Sequence, residues 1–157
     1  MGTGAAWSDI RSSSEEWADP DYDDQAWPRG PAPLGYGGDE ATEVFHGPAA
    51  FLRAPFHVAA APVSAVLRLR RDDGVIVYLD GVELLRDNVA AGPLVPTTRA
   101  DQAVEGAGEV VWIDHRLDPA PFTAGDHLLA VAVVQGVPDG ADLLLDAELL
   151  LGTGSEP

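Results

Sequence analysis

From residue 51 onward, short segments of alternating apolar and polar positions follow one another along the chain. Alternation with a period of two residues is typical of a β-strand with one buried face. Turns rich in Gly, Pro and Asp separate the segments, and no helical period recurs between them. The predicted strands are residues 51–58, 63–71, 75–79, 82–86, 109–117, 126–135 and 142–151. The pattern predicts an all-β jelly-roll sandwich of two antiparallel sheets, with about eight to ten strands.

The clearest single element is a hairpin at residues 75–85 that turns at Asp80-Gly81. Tight two-residue hairpin turns need positive φ at both turn positions, and Asp-Gly is one of the pairs that supplies it. Apolar side chains or Tyr occupy every position of residues 75–79. We therefore expect both faces of this strand to be covered.

Residues 1–45 are irregular, because frequent Pro and Gly preclude long helices. We expect an N-terminal strand near Trp7, a short strand or turn near Trp17, and then a long loop packed by its own aromatic residues. A second long connection covers residues 88–108. Connections of this length either carry function or cover the domain.

Composition limits the chemistry that the chain can perform. Its 157 residues suit one domain, predicted over residues 1–151, with a C-terminal tail or linker at residues 152–157. There is no Cys, which excludes thiol catalysis and disulfides, and all nine basic residues are Arg. The net charge of −17 makes nucleic acid and anionic lipid poor partners. The chain contains no run of about 20 apolar residues, so no transmembrane helix is predicted.

The abundance of Ala, Gly, Pro, Val and Arg is the bias that a GC-rich bacterial genome encodes. The N-terminus has no signal-peptide pattern, and both ends are rich in Gly, Ser and Thr. We therefore expect a soluble domain of a larger secreted or extracellular polypeptide from a high-GC bacterium, with a neighbouring domain as one partner.

An acidic segment at residues 19–24 is the first candidate site. Four carboxylates in six residues can coordinate a hard cation such as calcium, although the spacing is not that of an EF-hand. The alternative is a solvated loop whose Asp side chains accept backbone N–H groups in turns. No cofactor is required for folding in either interpretation. The candidate ligands of a structural calcium ion are Asp19, Asp21, Asp23, Asp24 and Glu148, with Asp146 as a further contributor.

Aromatic residues in the polar N-terminal segment form the second candidate site. Aromatic rings stack on the apolar faces of sugars, while charged side chains orient hydroxyl groups. The alternative is that the rings pin the long loop to the sandwich. The candidate contacts for a glycan ligand are Trp17, Trp27, Tyr36, Arg53, Asp73 and Tyr78.

Catalytic motifs are not evident. The chain has no G-x-S-x-G motif and no His spacing typical of a metal site. Asp72-Asp73-Gly74 has paired carboxylates, but neighbouring side chains at a strand end need not meet, so a turn is the favoured interpretation. A glycosidase pair of carboxylates about 5–10 Å apart would need a cleft to hold it. We therefore expect no enzymatic activity.

Several segments resemble those of one protein family, both in their amino-acid sequences and in their order along the chain. They are YDDQAWPRGPAPLGYG (22–37), FLRAPFHV (51–58), LRLRRDDGVIVYLDGVELLRDN (67–88), AGDHLLAVAVVQ (124–135) and DLLLDAELL (142–150). The family is a galactose-binding-like jelly-roll accessory module of secreted bacterial multidomain proteins, found beside metallophosphatase-like, CotH-like or lamin-tail domains.

The resemblance implies a β-sandwich with an accessory role, for which carbohydrate binding is the usual inference, and such domains often hold a structural calcium ion. Asp80 departs from the pattern, in which Asn more often precedes Gly81. Gly136 and Gly140-Ala141 also replace polar or small residues of the pattern.

Three functions remain as hypotheses. The leading one is a non-catalytic carbohydrate-binding module. The second is a structural domain that docks onto a neighbouring catalytic domain through an apolar patch. The third, less favoured, is a hydrolase.

Overall fold

The computed structural model describes residues 5–8, 15–137 and 139–154, and contains eleven β-strands within them. The strands are β1 (Ala5–Ser8), β2 (Arg29–Gly30), β3 (Leu34–Tyr36), β4 (Thr42–Glu43), β5 (Ala49–Val58), β6 (Ser64–Asp72), β7 (Gly74–Leu79), β8 (Val82–Asp87), β9 (Ile113–Leu117), β10 (Gly125–Val134) and β11 (Leu143–Gly152). Two short 3₁₀ helices are present at Glu15–Ala18 and Gly106–Gly108.

The strands form two sheets that pack as a sandwich. The six-stranded sheet has the order β2-β1-β5-β10-β7-β8, and the five-stranded sheet has the order β4-β3-β11-β6-β9. All neighbours are antiparallel except the short parallel pair of β3 and β4. This architecture confirms the all-β jelly-roll sandwich that the alternation predicts.

The six-stranded sheet is buried on both faces, because alternate residues of its central strands point to opposite sides. Leu129, Val131 and Val133 of β10 face the other sheet and join the core between the sheets. Leu128 and Ala132 point outward into a second apolar cluster. Residues of the connections at 17–27 and 89–100 complete that second cluster and cover the outer face.

The hairpin of β7 and β8 forms as predicted. Asp80 and Gly81 have φ values of 50° and 84°, the positive values that the tight turn requires. All six residues of β7 are buried, which confirms that both of its faces are covered.

The N-terminal region contains more regular structure than expected. The strand predicted near Trp7 is β1, which pairs with β5. Trp17 lies in a 3₁₀ helix. The predicted long loop includes the short strands β2, β3 and β4, because Gly and Pro limit strands to a few residues without preventing pairing. The short strands bring the total above the eight to ten that were predicted.

Two predicted boundaries change. The strand predicted at residues 109–117 begins only at Ile113, since the chain makes a 3₁₀ helix at Gly106–Gly108 and a turn directly after it. Strand β11 continues to Gly152, whose carbonyl accepts a hydrogen bond from Val63 N–H at 2.8 Å. Of the rest of the predicted tail, residues 155–157 lie outside the described residues.

The sandwich has two ends, which we name after the aspartates there. The Asp80 end carries the β7–β8 turn and the connections 59–63 and 118–124. The Asp72 end carries the connections 37–48, 88–112 and 135–142. Among the described helices, none is long and apolar enough to cross a membrane.

Candidate functional site

Three of the predicted stacking aromatics, Trp17, Trp27 and Tyr78, lie in the cluster on the outer face of the six-stranded sheet. Trp17 and Tyr78 are each only 1% exposed. The Trp17 ring meets Phe51 and Tyr78 edge to face, with ring centroids 4.8 and 5.5 Å apart. Trp27 is also buried, and its ring packs on Tyr22. These rings pin the N-terminal segment to the sheet, so Trp17 and Tyr78 have no free face on which a sugar could stack.

Tyr36 lies in the core between the two sheets and is 2% exposed. Its hydroxyl donates to the Gly47 carbonyl at 2.9 Å and accepts from the side-chain amide of Gln135. Its ring stacks on His46, with the centroids 4.2 Å apart. Burial raises the pKa of Tyr36 above its ordinary value. Its position is that of an anchor for the 37–48 connection.

Asp73 is buried at the Asp72 end, and its carboxylate is fully engaged. One oxygen accepts the Gly136 N–H at 2.6 Å, and the other accepts the Val104 N–H. The Asp73 backbone carbonyl accepts from Arg71 at 2.6 Å. These bonds join the β6–β7 turn to two connections, so Asp73 does not face solvent as a ligand for hydroxyl groups.

Arg53 projects from β5 beneath the acidic segment and is 3% exposed. Its Nε donates to Asp24 Oδ2 at 2.8 Å. Its Nη1 donates to the carbonyls of Trp17 and, at 2.8 Å, of Asp19. Its Nη2 donates to the Tyr22 carbonyl at 3.3 Å. The guanidinium therefore organises the segment that was predicted to hold a metal ion.

Two further acidic residues of this segment, Asp19 and Asp23, act within turns. Asp19 Oδ1 accepts the Asp21 N–H at 2.9 Å, and Asp23 Oδ1 accepts the Gln25 N–H at 3.0 Å. These are the Asp turns of the alternative interpretation. Asp24 also pairs with Arg29 at 3.0 Å.

Glu148, the predicted fifth metal ligand, does not join the acidic segment. It lies on β11 in the five-stranded sheet and pairs with Arg68 at 3.1 Å. Asp146 lies two residues earlier on the same strand and pairs with Arg70 at 3.6 Å. The acidic segment belongs to the cover of the other sheet, so the fold separates these residues.

A different set of three carboxyl groups does come together, at the Asp72 end. Oxygens of Asp72, Glu109 and Asp142 lie within 4.8 Å of one another, an arrangement that could hold a hard cation. Burial, a hydrogen bond to Asp73 and the charges of the neighbouring acids raise the pKa of Asp72 to about 8. Near neutral pH Asp72 is therefore largely protonated.

A cavity of about 310 Å³ opens near the Asp80 end, on the outer face of the six-stranded sheet. Its apolar wall consists of Pro20, Pro55, Leu128 and the ring of Tyr22. Its polar wall consists of Asp24, Arg29, Arg53, Asp80, Asp126 and His127. The volume lies at the lower end of the range for small-molecule sites, and the lining combines apolar surface with charged groups.

His127 fixes one side of this cavity. Its Nδ1 lies 2.6 Å from Asp80 Oδ2, and its Nε2 lies 2.8 Å from the Thr123 carbonyl oxygen. Both partners are acceptors, so the arrangement fits an imidazolium that donates from both nitrogens. Burial disfavours the charged ring, but the hydrogen bonds to Asp80 and Thr123 outweigh this effect, and the pKa of His127 is raised above its ordinary value.

Of the residues predicted to contact a glycan, only Arg53 lines the cavity, and of the predicted metal ligands only Asp24 does. Tyr22, Arg29, Asp126 and His127 were not among the predicted site residues, and Asp80 was predicted only as a turn residue. For Asp80 and His127 the missing information is strand pairing, since Leu79 of β7 lies opposite Leu129 of β10. That register brings the turn to His127, but the order of strands in a sheet is not readable from alternation.

Comparison with known proteins supports the fold. No protein-family model matches the chain, and no curated protein matches its sequence. A β-glucuronidase from Bacteroides uniformis matches 94% of the chain with a TM-score of 0.55 and 14% identity. A β-glycosidase from Bacteroides vulgatus matches 94% with a TM-score of 0.51 and 15% identity. A glycosyl hydrolase family 2 member from Bacteroides cellulosilyticus matches 94% with a TM-score of 0.52 and 12% identity.

This chain is much smaller than the enzymes that it matches. It covers 17% of the B. uniformis chain and 20% of each of the other two. The likeness at these identities concerns the fold alone: the chain has the architecture of one part of larger glycosidases.

Proposed function

We propose that this chain is a non-catalytic accessory module of a larger secreted bacterial protein and that it binds carbohydrate in the cavity near the Asp80 end. The observation that carries the proposal is the lining of that cavity. A Tyr22 ring and two prolines offer an apolar surface for the C–H face of a sugar. Charged side chains around it offer donors and acceptors for hydroxyl groups.

The charges at the cavity favour binding over catalysis. Asp24 is shared between two guanidinium groups, and Asp80 is held by His127 and by the Leu128 N–H at 2.8 Å. A carboxylate held in this way is not free to act as nucleophile or general base. Asp126 is the accessible one, because its side chain is 92% exposed and its contact is an exposed pair with His57.

Isothermal titration calorimetry with a panel of neutral hexoses, uronic acids and short oligosaccharides tests the proposal. Tyr22→Ala should weaken binding about tenfold through lost stacking, and Tyr22→Phe should retain it. Asp126→Asn should weaken binding by roughly tenfold or more, since hydrogen bonds to charged groups contribute about 1.5–3 kcal/mol. Asp114→Asn, on the five-stranded sheet, is the control and should change nothing. An intact fold that binds no member of the panel would overturn the proposal.

A second candidate function is docking onto a neighbouring domain through the Asp72 end. Four large apolar side chains in its connections are exposed: Phe45 by 56%, Val110 by 56%, Val111 by 53% and Val137 by 51%. Exposed apolar residues of this kind are typical of an interaction surface.

Hydrogen exchange in the full-length gene product, compared with the isolated chain, tests this second function. Docking would slow amide exchange in the connections of the Asp72 end and leave the turn at Asp80 unchanged. Equal exchange in both proteins would exclude docking at this end.

A further inference from the structure

We propose that the segment from Trp17 to Asp24 is a cage for a guanidinium cation, and that the side chain of Arg53 is its built-in occupant. The cage consists of oxygen atoms that converge on one buried side chain. Three are the backbone carbonyls of Trp17, Asp19 and Tyr22, and the fourth is a carboxylate oxygen of Asp24.

The geometry selects a planar fork over a spherical ion. Nε, Nη1 and Nη2 of Arg53 each donate to a different part of the segment. A guanidinium presents five N–H groups in one plane, whereas an ammonium group is a compact point charge. The Tyr22 ring adds a contact to this plane, with its centroid 5.5 Å from the Arg53 guanidinium carbon.

Burial gives the cage its strength. Arg53 is 3% exposed, so its charge has lost its water and depends on these oxygens. In return, the guanidinium satisfies carbonyls in a segment that is not part of a strand ladder, and of these the Asp19 carbonyl also accepts the Tyr22 N–H at 3.1 Å. The inference is independent of sugar binding, since it concerns what holds one wall of the cavity in place.

Removal of the occupant should leave a site that an external cation of the same shape can fill. Arg53→Ala is expected to lower the melting temperature by about 10 °C, because the carbonyls of Trp17 and Tyr22 lose a charged donor and Asp24 keeps only Arg29 as its partner. Millimolar methylguanidinium should then raise the melting temperature of Arg53→Ala and leave that of the unchanged protein flat or slightly lower. Calorimetric titration of methylguanidinium into the variant should show one site.

Three controls make the test specific. Arg68→Ala removes an arginine from the five-stranded sheet, where it pairs with Asp114 and Glu148, and should show no response to methylguanidinium. Arg53→Lys should be less stable than the unchanged protein but also unresponsive, because the lysine side chain still occupies the space that methylguanidinium would enter. Calcium chloride at the same concentration should not replace methylguanidinium.

Each outcome of the experiment either supports the inference or overturns it. If Arg53→Ala is unfolded without additive, methylguanidinium must restore its near-ultraviolet circular dichroism. No restoration, an equal response of Arg68→Ala, or a response to calcium that equals the response to methylguanidinium would each overturn the inference. Failure of sugar binding alone would leave it standing, since neither readout involves a sugar.

Discussion

Asp72 and Asp73 are adjacent in the chain, yet the structure gives them different roles. Asp73 accepts two backbone N–H groups, whereas Asp72 lies beside two further acids and is 4% exposed. Burial and the neighbouring Asp73 carboxyl raise the pKa of Asp72, and a protonated Asp72 can donate a hydrogen bond to Asp73.

Asp72 should therefore make folding stability depend on pH. Its folded-state pKa of about 8 exceeds the ordinary value of an aspartate, so the folded protein binds this proton more tightly than the unfolded chain does. The stabilisation is complete below about pH 4 and is lost as the pH rises toward 8, at up to about 1.4 kcal/mol per pH unit.

Urea unfolding of Asp72→Asn between pH 5 and pH 9 tests this. The amide mimics the protonated acid, so the variant should lose most of that slope and be the more stable protein at pH 9. Exposed Asp39→Asn should keep the slope of the unchanged protein. A variant with an unaltered slope would show that Asp72 is ionised in the fold.

At the scale of single residues, the sequence identified important side chains more reliably than their roles. Trp17, Tyr36 and Arg53 all proved to hold the fold together. Whether an aromatic ring is an anchor or a binding surface depends on what covers it, and the partners of Trp17 come from distant strands. Local pattern carries no information about such contacts, so Tyr22, Arg29, Asp126 and His127 were identified as cavity residues only in the structure.

At the scale of elements, the β7–β8 hairpin is fastened to its neighbour β10 by its own turn residue. The Asp80 N–H donates to the Leu128 carbonyl at 3.0 Å, and Asp80 Oδ1 accepts the Leu128 N–H at 2.8 Å. Asp80 Oδ2 faces His127. Asn could adopt the positive φ and supply one acceptor, but it could not supply the negative charge that Asp80 places beside the His127 ring. This explains physically why Asp suits the position at which the resembling family more often has Asn.

Asp80→Asn should therefore lower the pKa of His127 without disrupting the β7–β8 hairpin. In the unchanged protein that pKa is raised, so the Asp80 interaction stabilises the fold below the ordinary His pKa and fades as pH rises through the raised value. The stability difference between the two proteins should be larger at pH 5.5 than at pH 9.

Nuclear magnetic resonance titration of the His127 ring measures the shift directly, and exposed His46 serves as the internal reference. The cross-strand contacts of β7 and β8 should persist in the spectra of Asp80→Asn. An unchanged His127 titration would mean that Asp80 does not hold the imidazolium.

At the scale of the whole molecule, alternation was sufficient to predict the sandwich because each sheet buries at least one face. The continuous apolar run of β7 also correctly predicted a strand covered on both sides. The sequence did not predict which residues cover the outer face of the six-stranded sheet, because that cover consists of the irregular connections at 17–27 and 89–100. Short paired strands such as β2 and β4 were also not predicted, because two residues are too few to show an alternating pattern.

The charge of the whole molecule gives the last prediction. Twenty-six acidic residues face nine basic ones, and the net charge is −17. Salt weakens both the repulsion among the excess carboxylates and the attraction in exposed ion pairs. Exposed pairs contribute at most about 1 kcal/mol each, so the loss of repulsion should dominate.

The melting temperature should therefore rise by a few degrees, on the order of 3–5 °C, between low-salt buffer and about 0.5 M NaCl at neutral pH. Potassium chloride at equal ionic strength should give the same rise, because screening depends on ionic strength and not on the identity of the monovalent cation. The rise should shrink near pH 4.5, where many carboxylates are protonated and the repulsion is already relieved. A melting temperature that falls with salt would show instead that the ion pairs of the two sheets, and not the excess negative charge, dominate the electrostatics of the fold.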